Sequence, residues 1–246
     1  MARRPSRVAP GDDLDIPVVS WAEAAPEFIE AWGQGEHLIA LGKTGRGKTT
    51  FVNDVLNRRV DQREANVASF VVKPKDETSS KLLAEGWSRI SEWPPPYSAR
   101  KARKVMLWPP YTRASTYARD VKSTFLEAID EILEEGCWTL YLDEAPYFVE
   151  SLGLRKSMDE LFNQSRSNEI TLIAGMQRPV WVSRSTVSQH GWVACFRIGD
   201  MEDAKRAGEV MGDRDRYTPV ILGLGEHEFV LVDTIGDNAI ISQVGT

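Results

Sequence analysis

The sequence predicts an α/β protein with a mostly parallel central sheet and a C-terminal β-hairpin. Short runs of consecutive apolar residues, typical of strands buried on both faces of a sheet, alternate with segments whose apolar residues recur at helical spacing. Such alternation is typical of a parallel sheet covered by helices. Two β-rich runs near the C-terminus, residues 228–232 and 239–243, are separated by Gly236, Asp237 and Asn238, which predicts the hairpin.

The first predicted elements lie around a glycine-rich turn. Residues 37–41 form an apolar strand that ends at this turn, and apolar residues then recur at helical spacing between residues 51 and 56. Residues 69–72 include Phe70 and the β-branched Val71 and Val72, which predicts a second buried strand. A short helix is expected over residues 79–85. The local order is therefore strand, loop, helix, strand and helix.

The middle of the chain contains the longest predicted helix. Three consecutive prolines favour a loop over residues 90–97, and two prolines end a strand predicted at residues 104–108. Apolar residues keep one helical face over residues 115–135, and a glycine suitable for a helix C-terminus follows. Residues 137–142 are continuously apolar and predict a central strand. Residues 154–162 again have helical spacing.

The remaining elements continue the alternation of strands and helices. Buried strands are predicted over residues 170–174 and 192–198 because both segments are apolar and rich in β-forming residues. Helices are predicted over residues 185–189 and 201–211. We find neither an internal repeat nor a low-complexity segment in the sequence.

Composition argues against several classes of protein. With 42% hydrophobic residues in 246, the chain can form a core, and no run approaches the roughly 20 apolar residues of a membrane span. The basic N-terminus lacks the apolar region of a secretory signal. A net charge of −6 indicates that any contact with nucleic acid is local. We expect a flexible N-terminal segment over residues 1–20, a single domain over residues 21–246 and a cytoplasmic location.

The two cysteines do not suggest a metal site or a disulfide. Cys137 and Cys195 lie within apolar runs and have no partner at metal-ligand spacing. We therefore predict that both are small core residues of a protein in a reducing compartment.

A phosphate-binding motif lies between the first strand and the first helix. The segment from Gly42 to Thr49 matches G-x-x-x-x-G-K-[ST], and its position before a helix is the context that this motif requires. Backbone N–H groups of such a loop bind phosphate, the lysine reaches the β and γ phosphates, and the following threonine ligates Mg²⁺. The predicted ATP-binding residues are Gly42, Thr44, Gly45, Arg46, Gly47, Lys48, Thr49 and Thr50. A glycine-rich turn that only connects two elements is the alternative. The motif makes the predicted α/β fold that of a P-loop NTPase.

Two carboxylates and an amide follow later strands. Asp143 and Glu144 end the strand at residues 137–142, at the edge of a parallel sheet where ligands bind. Asp143 is suited to Mg²⁺ and Glu144 to polarising a water, which favours hydrolysis over transfer to an acceptor, as in a kinase. Gln177 follows the strand at residues 170–174 and is suited to contact the γ-phosphate or the attacking water. The alternatives are charged residues that merely terminate a strand for Asp143 and Glu144, and an ordinary surface amide for Gln177.

These motifs resemble the FtsK–HerA superfamily of ATP-driven DNA-pumping motors, whose fold is a RecA-like P-loop NTPase with an additional strand and a catalytic glutamate. The resemblance rests on GKTGRGKT, on Asp143-Glu144, and on an apolar strand that is preceded by a basic residue and followed by Gln177-Arg178-Pro179; Ser188-Gln189 before the next strand also matches. It implies Lys48 and Thr49 on ATP and Mg²⁺, Asp143 on Mg²⁺, Glu144 as catalytic base and Gln177 as sensor. It also implies a ring, usually a hexamer, with an arginine donated by the neighbouring subunit. We favour Arg166 for this role, then Arg184; a helix C-terminal arginine that only stabilises the helix dipole is the alternative.

Because we expect the ATPase domain to occupy nearly the whole chain, the sequence most resembles the minimal genome-packaging ATPases of viruses. We therefore expect a viral packaging motor that moves double-stranded DNA in the host cytoplasm or at the virion, docked on a partner protein or capsid vertex. A related ATPase of conjugation, DNA processing or filamentous-virus assembly is an alternative, as is a nucleotide-dependent switch in a protein assembly. DNA is expected to contact local basic loops, above all the densest run, formed by Arg100, Lys101, Arg103 and Lys104, and also Arg155 and Lys156. A solvated loop beside a strand is the alternative for the first run.

Overall fold

The computed structural model describes residues 16–72, 77–179 and 190–245. Within these residues the strands are β1 His37–Leu41, β2 Asn66–Phe70, β3 Ser88–Ile90, β4 Lys104–Leu107, β5 Trp138–Leu142, β6 Thr171–Met176, β7 His190–Phe196, β8 Glu228–Asp233 and β9 Asn238–Gln243. The helices are α1 Trp21–Ala31, α2 Lys48–Arg63, α3 Glu77–Ala84, α4 Tyr97–Ala102, α5 Tyr117–Glu135, α6 Ala145–Glu150, α7 Arg155–Gln164, α8 Met201–Val210 and α9 Arg214–Gly223. The helix predicted at residues 185–189 lies outside the described residues.

The described strands form a single sheet in the order β3-β4-β2-β5-β6-β1-β7-β8-β9. Strands from β3 to β7 in this order pair in parallel, whereas β8 is antiparallel to both β7 and β9. The mostly parallel sheet and the C-terminal hairpin are therefore confirmed. We call the edge where the parallel strands end the C-terminal edge, and the edge where they begin the N-terminal edge.

Helices cover both faces of the sheet, which explains the continuously apolar strands. In β1, Ile39 and Leu41 pack into one core with α5, α7, α8 and α9, whereas Leu38 and Ala40 pack into a second core with α1 and α2. Because successive side chains of a strand point to opposite faces, both sets of positions must be apolar when both faces are covered.

Several elements were not predicted from the sequence. Helices α1 and α9 contain Pro26 and Pro219 in their interiors, and proline ordinarily indicates the end of a helix. Each helix nevertheless has a side-chain N-cap, from Ser20 or Asp213, and buries apolar residues against the sheet. Strand β3 and helix α4 flank the proline-rich segment, so the predicted loop is confirmed only over residues 91–96.

The two cysteines differ in environment. Cys195 on β7 is buried, as predicted, and burial raises the pKa of its thiol. The prediction for Cys137 is wrong, because this residue is exposed and has a φ of 58°, in a turn before β5. The Cys137 thiol donates a hydrogen bond of 3.3 Å to Glu169, which raises the thiol pKa. The apolar run at residues 137–142 thus begins with a turn residue.

Residues 16–19 contact the last strand. Ile16 is 3% exposed, Val18 forms a parallel bridge with Ile241, and the Val19 N–H donates to the Ile241 carbonyl at 2.9 Å. Residues 1–15 of the segment expected to be flexible lie outside the described residues. No helix in the described ranges has both the length and the apolar character needed to cross a membrane.

Candidate nucleotide-binding and catalytic site

The glycine-rich motif joins the end of β1 to the start of α2, as the strand-loop-helix context requires. Lys48 is the first residue of α2, and Gly47 occupies the N-cap position without a side-chain hydrogen bond. The first N–H groups of a helix have no partner within the helix, and the helix dipole is positive at this end. The loop and the start of α2 therefore suit an anion such as a polyphosphate.

Two glycines of the motif serve different purposes. Gly45 has a φ of 78°, and a Cβ atom added there would meet no atom within 4 Å, so the backbone borders open space. Gly47 has a φ of 99°, and a Cβ there would lie 2.8 Å from Val244 Cγ2. A side chain at residue 47 would thus collide with the C-terminal segment, whereas the backbone at residue 45 can be approached closely by a phosphate.

Lys48 links the phosphate-binding loop to strand β6. Its side chain is 7% exposed, and Nζ donates a hydrogen bond of 3.1 Å to the carbonyl of Met176, the last residue of β6. The next two residues, Thr49 and Thr50, are half-buried and exposed, respectively, at the start of α2. The ammonium group therefore lies between the phosphate-binding loop and the residue that precedes Gln177.

Asp143 is buried and oriented by a tyrosine of its own strand. It is 1% exposed, and its Oδ1 accepts a hydrogen bond of 2.9 Å from the hydroxyl of buried Tyr141. Gly175 on β6 makes room for this pair, because a Cβ there would lie 2.6 Å from the Asp143 carbonyl and 3.1 Å from the Tyr141 hydroxyl. Neither Tyr141 nor Gly175 was identified from the sequence. Two signals in the sequence could have indicated them. Tyr141 and Asp143 are two residues apart, so their side chains lie on the same face of β5, and Gly175 is a glycine within a strand.

Tyr141→Phe is expected to lower the affinity of the nucleotide-bound protein for Mg²⁺ about tenfold, because hydrogen bonds that orient metal-binding carboxylates have effects of this size. The measurement is a Mg²⁺ titration of ATP hydrolysis at fixed ATP. The matched control is Tyr117→Phe, since the Tyr117 hydroxyl is buried and makes no hydrogen bond within the described residues. Equal Mg²⁺ dependence in the two variants would contradict a role for Tyr141.

Glu144 and Gln177 are in direct contact. Gln177 Nε2 donates a hydrogen bond of 2.9 Å to Glu144 Oε2. Both residues line an open cavity of about 310 Å³ together with residues of α6 and Arg178. Because β5, β6 and β1 are neighbours in the sheet, the residues that follow them meet at the C-terminal edge. The structure thereby brings Lys48, Asp143, Glu144 and Gln177 together.

The residues at this edge suit a Mg²⁺-nucleotide. Mg²⁺ is usually bound by one or two protein oxygens together with phosphate oxygens and water. Thr49 and Asp143 can supply these two ligands. No group of three or more His, Cys, Asp or Glu side chains that could hold a metal ion by itself occurs among the described residues. The donor set thus fits a metal ion that shares its coordination with a nucleotide.

The candidate trans arginines are placed differently. Arg166 is exposed and precedes β6. A Cβ atom added at Gly35, just before β1, would lie 3.4 Å from the carbonyl oxygen of Arg166. Arg166 therefore lies at the N-terminal edge, one strand length or roughly 16 Å from the phosphate-binding loop of its own chain. Arg184 lies outside the described residues. Arg178 lies at the C-terminal edge and forms two hydrogen bonds, of 3.1 and 3.2 Å, with Asp203, which raise its pKa.

The densest basic run is not on a loop, which corrects the prediction. Arg100 and Lys101 belong to α4, Arg103 follows it, and Lys104 starts β4, so the run lies at the N-terminal edge, opposite the nucleotide motif. Its charges face carboxylates: Arg100 pairs with Glu131 and Glu135, Arg103 with Glu64 at 3.3 Å, and Lys104 with Asp61 at 3.9 Å. These pairs reduce the positive charge that the run offers to nucleic acid.

A second group of basic residues lies at the C-terminal edge. Helices α5 and α7 pack together and both start at this edge, where Lys122 Nζ lies 3.5 Å from the carbonyl of Gly153. The exposed side chains here are those of Arg113, Arg119, Lys122, Arg155 and Lys156. We call these five residues the α5–α7 basic group. The sequence predicts DNA contacts at Arg155 and Lys156, and the fold places the other three beside them.

The fold is shared with solved structures of viral and bacterial proteins. The DNA-packaging ATPase B204 from Sulfolobus turreted icosahedral virus has a TM-score of 0.60 at 13% identity, over 85% of this chain and 98% of B204. VirB4 of Thermoanaerobacter pseudethanolicus has a TM-score of 0.65 at 10% identity, over 85% of this chain and 89% of VirB4. The chain therefore shares the RecA-like α/β fold of these proteins.

Other comparisons agree with this fold or find nothing. The conjugation coupling protein TcpA of plasmid pCW3, solved with an ATP analogue, has a TM-score of 0.55 at 15% identity, over 85% of this chain and 60% of TcpA. No protein-family model matches the chain, and no curated protein matches it by sequence. The predicted RecA-like fold is thus confirmed by structural similarity.

Proposed function

We propose that this protein is an ATPase that hydrolyses ATP to move double-stranded DNA, and that it packages a viral genome as a homo-oligomeric ring. The strongest support is the hydrogen bond between Gln177 and Glu144 beside the phosphate-binding loop. An acid and an amide in contact at this position suit hydrolysis, in which a water must be oriented and deprotonated. The fold shared with a DNA-packaging ATPase favours DNA as the cargo.

Each residue of the site has a distinct role in this proposal. The backbone of residues 42–47 and the start of α2 bind the phosphates, and Lys48 places its charge between the β and γ phosphates. Thr49 and Asp143 hold Mg²⁺, which when bound neutralises charge on the β and γ phosphates. Glu144 accepts a proton from the attacking water. Gln177 orients Glu144 and the water, and its contact with Glu144 links the nucleotide state to the segment that follows it.

In a ring, Arg166 can act on the nucleotide of a neighbouring subunit, although it cannot reach the nucleotide of its own chain. Arg166 lies at the N-terminal edge of the sheet, so a role on a phosphate requires the nucleotide of a neighbouring subunit. We retain Arg166 and Arg184 as the candidates, a hexamer as the expected ring, and a docking protein or capsid vertex as the partner. The fold shared with a conjugation coupling protein keeps transfer of DNA in conjugation as the second candidate function.

DNA contacts are proposed at the α5–α7 basic group. It lies at the same edge as Glu144 and Gln177, so movements there can be coupled to hydrolysis, and its side chains are exposed. The N-terminal ends of α5 and α7 add positive dipole charge for phosphate groups. The run at Arg100 to Lys104 lies at the far edge, so we expect it to contribute less. Ion pairs do not separate the two groups, because Arg119 pairs with Asp120 at 3.3 Å and Lys156 with Glu160 at 3.7 Å.

The test is steady-state ATP hydrolysis with and without linear double-stranded DNA, over a range of salt. We expect stimulation by DNA in the wild type and a large loss of stimulation in the double variant Arg155→Ala/Lys156→Ala. The salt dependence of DNA binding should become shallower by about 1.8 in log–log slope if both side chains contact phosphate. The matched control, Lys101→Ala/Arg103→Ala, removes equal charge at the opposite edge and should retain stimulation.

Other results would identify the alternatives. Equal losses in the two double variants would contradict the proposed DNA surface. Hydrolysis that is indifferent to DNA at all salt concentrations would contradict the motor and favour the assembly switch. Phosphate transfer to a small acceptor would indicate a kinase.

A further inference from the structure

The position of the catalytic residues determines on which side of the phosphate-binding loop a nucleoside must lie. This step rests on the proposed function, which places the γ-phosphate beside Glu144 and Gln177. These residues follow β5 and β6, on one side of β1, whereas β7, β8 and β9 lie on the other side. A triphosphate is a linear chain, so with its γ end beside Glu144 its nucleoside end leaves the loop towards β7, β8 and β9.

Two segments of the C-terminal hairpin occupy that side. Because β8 is antiparallel to β7, its first residue lies at the C-terminal edge, and so does the last residue of β9. The Val244 N–H donates to the His227 carbonyl at 3.1 Å, and Gln243 Nε2 donates to the Glu226 carbonyl at 3.0 Å. We call residues 226–227 and 243–245 the hairpin end. Its hydrogen bonds fix the two segments to each other.

The hairpin end is in contact with the phosphate-binding loop. A Cβ atom at Gly47 would lie 2.8 Å from Val244 Cγ2 and 3.6 Å from His227 Cα. His227 is half-buried and has a φ of 59°, a conformation that side-chain-bearing residues adopt at a cost of about 1 to 3 kcal/mol and that is frequent at ligand sites. Val244 is 4% exposed and packs under the loop. The residue at this end with ring surface is therefore His227.

We infer that the hairpin end is the base subsite of the nucleotide site, with the His227 imidazole stacking on a purine base. The carbonyls of Glu226 and His227 already accept hydrogen bonds from within the protein. The recognition inferred here is contact between the imidazole ring and the face of the base. Stacking tolerates any base with sufficient ring surface, so ATP and GTP bind comparably and the larger purines bind more tightly than pyrimidines.

A cavity of about 180 Å³ beside α2 is the competing place for the base. It is lined by Thr50, Asn53, Asp54, Asn57, Lys81 and Glu85. Two of these residues are carboxylates, and the cavity extends along the helix, away from its N-terminal end. Lys81 belongs to α3, which connects β2 to β3, and both strands lie on the other side of β1 from β7, β8 and β9. Lys81 offers a control variant for this cavity.

The test compares a nucleotide with a ligand that has the phosphates but no nucleoside. Isothermal titration calorimetry gives the dissociation constants of ADP, ATP, GTP and inorganic tripolyphosphate for the full chain. His227→Ala should weaken ATP, GTP and ADP about tenfold and leave tripolyphosphate unchanged, because stacking on one ring has effects of this size. His227→Phe should restore nucleotide affinity, and Lys81→Ala should bind every ligand as the wild type does.

Three results would overturn the inference. The first is unchanged nucleotide affinity in His227→Ala, and the second is weaker nucleotide binding in Lys81→Ala but not in His227→Ala. The third is a strong preference for one purine, which would indicate hydrogen bonds to the base edge. If the wild type bound neither ATP nor tripolyphosphate, the proposed nucleotide site itself would be wrong, and the subsite with it. Tripolyphosphate binding by the wild type thus distinguishes failure of the base subsite from failure of the proposed nucleotide site.

Discussion

Glu144→Gln is expected to lower the rate of ATP hydrolysis by about 10²- to 10⁴-fold while leaving the affinity for ATP within a few-fold of the wild type. The amide is nearly isosteric with the carboxylate and can keep a hydrogen bond to Gln177, but it cannot accept a proton from water at neutral pH. The loss should therefore appear in kcat and not in KM or in equilibrium binding. Single-turnover hydrolysis and calorimetric binding of ATP measure the two quantities separately.

The same cavity provides a matched control for this experiment. Glu150 is an exposed carboxylate of α6 that lines the cavity together with Glu144. Glu150→Gln removes the same charge nearby and should leave kcat within about twofold of the wild type if Glu144 alone accepts the proton. Comparable losses in Glu144→Gln and Glu150→Gln would show that the local negative charge matters and that neither residue is a specific base.

Arg59→Leu is expected to lower the free energy of unfolding by about 3 kcal/mol, because several buried hydrogen bonds are lost together. Arg59 of α2 is fully buried, and burial lowers its pKa to about 10, so the guanidinium stays charged at neutral pH. It donates to the Trp32 carbonyl at 2.9 Å, to Thr171 Oγ1 at 3.0 Å and to Thr139 Oγ1 at 3.3 Å. Its guanidinium carbon also lies 4.4 Å from the centre of the Trp32 ring.

These contacts join the helix of the phosphate-binding loop to the strands that precede the proposed catalytic residues. Thr139 lies on β5, which leads to Asp143 and Glu144, and Thr171 starts β6, which leads to Gln177. A leucine at residue 59 would leave the Thr139 and Thr171 hydroxyl oxygens and the Trp32 carbonyl buried without the guanidinium donor. Urea denaturation measures the change, with Arg58→Leu as control.

The control tests whether loss of any α2 arginine has the same effect. Arg58 is the adjacent residue and forms a surface ion pair of 2.7 Å with Asp54, so its loss should cost less than about 1 kcal/mol. An Arg59→Leu variant as stable as the wild type would show that the surrounding groups find other partners.

The motifs of the site could be recognised from the sequence because each is local and each follows a strand. In a parallel sheet, side chains that follow different strands meet at one edge, so three separate motifs around Lys48, Glu144 and Gln177 predict one site. Their roles remain predictions until the variants above are measured. Partners from distant segments could not be recognised in this way. Val244 packs against Gly47 across almost the whole length of the chain, and no pattern near Gly47 indicates it.

The basic residues show why charge density along the chain was misleading. The run from Arg100 to Lys104 is dense in sequence, but Glu131 and Glu135 of α5 lie against it in the fold. Arg155 and Lys156 are only two neighbours in sequence, yet the packing of α5 on α7 places Lys122 beside them. The net charge of a surface depends on residues from several elements, and a single segment does not contain that information.

The sequence by itself determined the class of the fold, the order of most of its elements and the position of the phosphate-binding motif, because apolar periodicity and a contiguous motif depend on neighbouring residues alone. The tertiary structure decided which side chain orients Asp143, which segment supports the loop and which basic residues lie at the edge of the phosphate-binding motif. These depend on contacts between strands and helices far apart in the chain, whose register is set by packing of the two cores on either side of the sheet.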